Sequence, residues 1–287
     1  MKKKILVLSS TFPRWDNDHE PPFVYELSRR YTDHYDVHVL SPHTAGSQDH
    51  ETLSGLSIHR FRYAPESLEK LAYNGGISTN LRRHPLRYLL VLPFILAQLV
   101  YAIRIVRKEN IDLIHAHWII PQGLVAVITA TLAKKRPEIL ITAHGADVYT
   151  RKGSLISSIK RFILNHCSHL TVVSRDMASS VQQLNVKCDI DVIPMGTDLS
   201  GTFVPDNSKQ TDSQLVFAGR LVEKKGVRYL IDGFNKLLSQ YPQLRLVIIG
   251  HGPEKESLQE YTRRLGILKK VKFTGGLPQD ELPAYLQ

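Results

Sequence analysis

Residues 214–238, QLVFAGRLVEKKGVRYLIDGFNKLL, pass from a short apolar run through a charged, glycine-bounded turn into an amphipathic stretch with helical spacing. This strand–turn–helix order decides the fold class, because it recurs along the chain. KILVLSS, YDVHVLS, DLIHAHW, EILITAHG, HLTVVS and CDIDVIP are earlier apolar runs rich in β-branched residues. Turns and longer amphipathic segments such as PPFVYELSRRYTD and RDMASSVQQLN follow them. LVFAG, LRLVIIG and VKFTG continue the series, with VRYLIDGFNKLLSQY and KESLQEYTRRLG between them. Such alternation predicts an α/β fold with parallel sheets, helices on both faces and ligands at the C-terminal ends of the strands.

The stretch GTDLSGTFVPDNSKQTDSQ, residues 196–214, lacks apolar periodicity and reads as a linker. It divides the chain into an N-terminal domain, residues 1–200, and a shorter second domain, residues 201–287. A chain of 287 residues, 43% of them hydrophobic, has the material for two cores, which argues against disorder. The net charge of +10 favours an anionic partner without choosing among phosphate, nucleic acid and membrane. Cys167 and Cys188 fit neither a C-x-x-C nor a zinc spacing, so both thiols are expected to be free in a reducing compartment. After MKKK the apolar run ILVL is too short for a signal-peptide core before Pro13, Arg14 and Asp16, and it reads as the first strand of a cytoplasmic protein.

In the second domain Arg220 and Lys225 stand five residues apart at a strand-to-helix turn, where backbone N–H groups and the positive helix end favour an anion. A guanidinium can fork two phosphate oxygens while the ammonium meets a third, each bond contributing about 1.5–3 kcal/mol. A diphosphate fits both cations; solvated turn lysines are the plain alternative. The next strand ends in IIGHGPEKESLQ, where Gly250 and Gly252 let backbone approach a ligand. This is no dinucleotide fingerprint, because position 255 is Lys.

In the first domain HAHW places His115 and His117 on one face of a strand, and AHGAD adds His144 and Asp147 at the end of the next. Three readings stand: a zinc site lacking a fourth ligand at a recognisable spacing, satisfied histidines at a sheet end, and a polar cleft for a sugar. The loop SSTFPRWDNDHEPPFVYELSRR either serves a site at that sheet edge or is a disordered connection. From Lys70 to Lys108 there are seven Lys or Arg residues and no acid, around sixteen uncharged residues, YLLVLPFILAQLVYAI. Sixteen is short for a membrane span, and Pro93 and Gln98 interrupt it. The segment is therefore a helix buried on the sheet, or one lying in an anionic membrane interface.

In their order, FPRWDNDHEPPFVYELSRR, DLIHAHWIIPQGLVA, TAHGADVY, VVS, VIPMGTDL, FAGRLVEKKGVRYLIDGF and LVIIGHGPEKESLQ resemble the retaining glycosyltransferases of family 4 along nearly the whole chain. Their GT-B fold has two Rossmann-like domains facing each other across a cleft. The resemblance implies a nucleotide-diphosphate sugar as donor, its diphosphate held by Arg220 and Lys225, with Gly219, Gly250 and Gly252 at the nucleotide. It implies that His144 is the catalytic residue beside the transferred sugar. Phe12, Pro22, His117 and Asp147 would line the site of a glycan or lipid-linked acceptor. It implies no metal, no separate cofactor and no nucleic-acid partner, and a cytoplasmic enzyme; the acid-free basic flank around the apolar helix, through residues 82–107, would hold it peripherally on the inner face of an anionic membrane unless that helix is buried. Family members carry an E-x-x-x-x-x-x-x-E motif downstream; GGLPQDELPAYLQ resembles its lead-in, so the second domain is expected to be incomplete and this fragment inactive. Two rival readings are a non-catalytic nucleotide- or membrane-binding fragment and a nucleotide-sugar epimerase of GT-B fold.

Overall fold

The computed structural model describes residues 2–16, 18, 20, 22–149, 153–205 and 213–286. They fall into two units, Met1–Gly196 and Thr197–Gln287. In unit 1 the strands are β1 (Lys4–Leu8), β2 (Asp36–Pro42), β3 (His50–Leu53), β4 (Leu56–Phe61), β5 (Leu113–His117), β6 (Glu138–Ala143), β7 (His169–Val172) and β8 (Asp189–Val192). They form one sheet in the order β3-β4-β2-β1-β5-β6-β7-β8, parallel throughout except for the antiparallel β3–β4 pair. Its helices are α1 (Phe23–Tyr31), α2 (Ile77–Arg83), α3 (Val91–Glu109), α4 (Leu124–Leu132), α5 (Ala146–Tyr149), α6 (Ser154–Leu164) and α7 (Arg175–Gln182).

Alternate residues of β1 feed two cores. Leu6 and Leu8 join Phe61, Phe94, Ile114 and Ile141 on one face, while Ile5 and Val7 join Phe12, Val24, Val39 and Ile58 on the other. A strand covered on both faces needs a continuous apolar run, which is why KILVL carries no polar alternation. The strand order reverses at β1, which has β2 on one side and β5 on the other. That reversal opens a crevice at the C-terminal ends of β1 and β5, the usual place for a ligand in an open α/β sheet.

Two features depart from the sequence reading. The β3–β4 hairpin was not expected, although its two-residue turn, Ser54 and Gly55 at φ 49° and 79°, has the left-handed pair that tight hairpins require. Pro93 and Gln98 do not interrupt the apolar segment, and sixteen residues understate it. A 3-10 turn, Pro85–Leu90, runs straight into α3, giving 25 residues, a length and composition that could cross a membrane. Pro93 lies in the first turn of α3, where the N–H that proline lacks has no partner within that helix. Gln98 is fully buried, its amide reaching toward the Ser9 carbonyl at 3.5 Å. Phe94, Ala102, Ile105 and Val106 bury one face of α3 against the sheet, while Leu92, Leu96 and Val100 remain 64%, 50% and 45% exposed on the other.

Unit 2 has three parallel strands in the order β11-β10-β9: β9 (Gln214–Ala218), β10 (Arg245–Ile249) and β11 (Val271–Gly275). With them run α8 (Val227–Leu237), α9 (Lys255–Arg264) and the short α10 (Pro283–Leu286). Leu221, Ile231, Phe234, Leu246, Ile248 and Leu258 form its core. Of the expected linker, Asp198 organises a turn by accepting the Ser200 and Gly201 N–H groups at 3.2 and 2.9 Å. Residues 206–212 lie outside the described residues.

Candidate active site

His115 and His117 come from β5 and are buried; His144 follows β6 and is half-buried. His115 Nε2 lies 2.8 Å from Thr142 Oγ1, and His117 Nδ1 lies 2.9 Å from His144 Nε2. Burial outweighs the gain of a proton in each ring, holding His115 down to about 3, His144 down to about 4 and His117 well below its ordinary value. All three imidazoles are therefore neutral at pH 7, and each contact pairs one donor with one acceptor. His117 Nε2 is buried without a hydrogen-bond partner. Among the described residues no group of three His, Cys, Asp or Glu converges to hold a metal ion.

An aromatic wall encloses His144: Phe23 at 4.9 Å and Trp118 at 5.0 Å between ring centroids. Trp118 takes φ 78°, a left-handed conformation that costs a residue with a side chain about 1–3 kcal/mol and recurs at functional sites. Asp147 fixes the backbone on both sides. Its Oδ2 accepts the Ile119 N–H at 2.9 Å and its Oδ1 accepts the His144 N–H at 3.1 Å, while burial pushes its carboxyl above the ordinary range. Its role here is to position His144 and the turn after β5.

The loop after β1 is tied down where it is described. Arg14 forks Asp18 through Nε and Nη2 at 2.8 and 2.7 Å, and the Arg60 guanidinium donates to the Pro13 carbonyl at 3.0 Å. Phe12 is fully enclosed, edge-on to Tyr25, and so supports the loop from below. Pro22 stands just before α1 and accepts the Glu26 N–H at 2.7 Å through its carbonyl. Trp15 is the ring this loop exposes, at 41%, with the Arg14 guanidinium 4.4 Å from its centroid. Sequence reasoning named neither Trp15, Phe23 nor Trp118. The aromatic positions inside FPRW, PPFVY and HAHW were the available signal.

In unit 2, Gly219, Arg220 and Leu221 leave β9 and lead through a 3-10 turn, Glu223–Lys225, to Gly226 at φ 65°, which opens α8. Gly226 offers α8 no side-chain cap, its carbonyl taking the Tyr229 N–H at 3.0 Å, so the positive end of the helix dipole lies at this turn with no side-chain acceptor on it. Arg220 is half-buried and Lys225 exposed, and among the described residues neither is paired with a carboxylate. Gly250, at φ 140°, and Gly252 have a packing role. A Cβ on either would overlap the carbonyl oxygen of Gly219 or Leu221, because the turn after β10 lies directly on the turn after β9. Gly219 N–H donates to the Ile249 carbonyl and Leu221 N–H to that of His251, both at 2.9 Å.

Set beside known families, residues 22–200 match Glycosyltransferase Family 4 and residues 202–287 match Glycosyl transferases group 1. The chain belongs to Glycosyltransferase Family 4. Among relatives, it is 27% identical over 237 residues to the GDP-mannose-dependent alpha-(1-6)-phosphatidylinositol monomannoside mannosyltransferase of Mycolicibacterium smegmatis, covering 79% of this chain and 60% of that one. It is 24% identical over 271 residues to one of the subunits of the human phosphatidylinositol N-acetylglucosaminyltransferase, covering 90% of this chain and 50% of that one. It thus spans roughly half the length of these relatives. Among solved structures, an E. coli trehalose-6-phosphate structure bound with UDP-2-fluoro glucose superposes with TM-score 0.65 at 9% identity, over 95% of this chain and 73% of that one. The lipopolysaccharide outer core galactosyltransferase WaaB in its apo form gives TM-score 0.56 at 14% identity, over 95% and 68%. At these identities the likeness concerns fold, and the fold is GT-B.

Proposed function

We propose that this family 4 chain supplies the acceptor domain and the diphosphate grip of a retaining glycosyltransferase, moving a hexose from a nucleotide-diphosphate sugar to a glycan or lipid-linked acceptor. The observation that carries the reading is the turn 219–226, where Arg220 and Lys225 meet the uncapped N-terminus of α8 with no carboxylate among the described residues to neutralise them. Relatives named for phosphatidylinositol acceptors support a lipid-linked one.

In this reading the bond from the sugar's anomeric carbon to the diphosphate breaks, and a bond to the acceptor hydroxyl oxygen forms on the same face. The hydroxyl proton leaves with the departing diphosphate. Arg220, Lys225 and the α8 N–H groups meet the charge that develops on the leaving oxygens. His144, kept neutral, offers a ring N–H to a sugar oxygen without adding a charge of its own. Phe23 and Trp118 exclude water around it. The reading uses no metal and no separate cofactor. The basic, apolar segment 82–107 would bring unit 1 to the inner face of an anionic membrane.

Arg220→Ala is expected to weaken nucleoside diphosphate binding by at least about 1.5 kcal/mol, roughly tenfold, measured by titration calorimetry. Unchanged affinity in both Arg220→Ala and Lys225→Ala would overturn the assignment.

A further inference from the structure

A cleft of about 660 Å³ lies between the β3–β4 hairpin and the C-terminal half of α3, lined by His50, Glu51, His59, Tyr101, Arg104 and Lys108. The end of α3 leads toward the start of β5, so this cleft sits near the opposite edge of the sheet from the strand ends that carry His117 and His144. Its acids are already engaged: Glu51 with the buried Arg60 guanidinium, and Glu109, at the cleft's edge, with Lys4 Nζ at 3.2 Å. Lys108 Nζ is 3.6 Å from Glu109 but its side chain remains 83% exposed, and Arg104 lies over Tyr101 with no carboxylate partner among the described residues. Two imidazoles line the cleft, His50 Nδ1 lying 3.1 Å from His59 Nδ1, and the His59 ring is tied in turn to buried His38, Nε2 to Nδ1 at 3.3 Å. Arg104 is thus the cation of the recess without a carboxylate partner among the described residues, while Lys108 shares Glu109 with Lys4.

The rest of α3 says what fills it. Leu92, Leu96 and Val100 recur every fourth residue on the exposed face, and the same row continues into Arg104 and Lys108. At 1.5 Å per residue the row is about 24 Å long, apolar along its first half and cationic along its second. A free anion would use the recess and leave the leucine row unexplained; an anionic amphiphile uses both. We propose that this cleft is a headgroup site for an anionic phospholipid, its phosphate held by Arg104, Lys108 and the His50–His59 edge, its acyl chains lying along Leu92, Leu96 and Val100. The proposal rests on the membrane reading of segment 82–107 and adds a defined lipid site to it.

Two measurements on the full chain test it. The first is co-sedimentation with phosphatidylcholine vesicles, with and without phosphatidylglycerol. The second is the histidine ring resonances during titration with monomeric short-chain phosphatidylglycerol or with inorganic phosphate. Binding is expected only with the anionic lipid, and the short-chain lipid should shift His50 and His59. Arg104→Gln with Lys108→Gln, both exposed, should weaken the short-chain lipid roughly tenfold, while Arg82→Gln with Arg83→Gln should leave it unchanged and lower vesicle binding. Vesicle binding with no response of the cleft to short-chain lipid overturns the headgroup site and leaves the membrane reading standing. No binding of the unaltered chain to anionic vesicles overturns both. Equal shifts with inorganic phosphate would make the recess a free-anion site and overturn the lipid assignment.

Discussion

His117 Nδ1 and His144 Nε2 face each other at 2.9 Å with their rings 16° from parallel, and burial keeps both imidazoles uncharged. The contact is a neutral relay of one donor and one acceptor, not an ion pair. It sets a sign for the effect of pH. The unfolded chain takes up a proton at each histidine near 6.5, whereas folded His144 resists until about 4 and His115 until about 3. The unfolded state therefore binds more protons on acidification. Stability from these rings is complete above pH 6.5 and is lost as pH falls through 4 for His144 and through 3 for His115. For His144 the loss is about 3 kcal/mol. Chemical denaturation at stepped pH should show the decline in the full chain and a shallower one in His144→Gln. A midpoint that stays level over that range in the unaltered protein would contradict the neutral relay.

Asp147 should matter to the fold before it matters to chemistry. Asp147→Ala removes the acceptor of two backbone N–H groups, those of Ile119 and His144, and is expected to cost about 2–4 kcal/mol. Asp147→Asn retains one carbonyl oxygen and should lose about half as much. Urea unfolding of both variants checks the order, and an Asp147→Ala protein as stable as the parent would show that the clamp does not form.

Gly250 and Gly252 separate packing from ligand contact. Gly250→Ala or Gly252→Ala would drive a methyl group into the carbonyl of Gly219 or Leu221, so unit 2 should lose at least about 3 kcal/mol or fail to fold. Arg220→Ala, by contrast, should lose nucleotide affinity with its melting temperature unchanged. The comparison is read by circular dichroism beside calorimetry; a well-folded Gly250→Ala that only loses nucleotide would assign that glycine to the ligand instead.

Trp15 presents an exposed ring braced by Arg14, the form of platform on which the apolar face of a sugar stacks. Trp15→Ala should weaken saccharide binding roughly fivefold or more while changing stability by less than about 1 kcal/mol. With two tryptophans in the chain, the Trp15 indole N–H resonance can be assigned with Trp118→Phe and followed during saccharide titration. An unmoved resonance at saturating acceptor would remove Trp15 from the site.

What the sequence determined by itself was periodicity and strand ends. Apolar runs such as EILIT and RLVII, alternating with amphipathic segments, read as strands covered on both faces, and the residues at and just after their ends as the C-terminal edge of a sheet, so His117, His144, Arg220 and Gly250 were legible as edge residues. The hairpin at Ser54–Gly55 was hidden because its histidines and serines mask the alternation, leaving only the turn as a signal. Tertiary structure alone decided the rest, because side-chain contacts link residues far apart in the chain. His117 meets His144 across 27 positions, and burial there sets their charge state. Packing of one turn on another gave Gly250 and Gly252 their reason. The sheet chose which face of α3 to cover, leaving Leu92, Leu96 and Val100 in a row that ends at Arg104 and Lys108, because a helix lying on one layer can bury only one side.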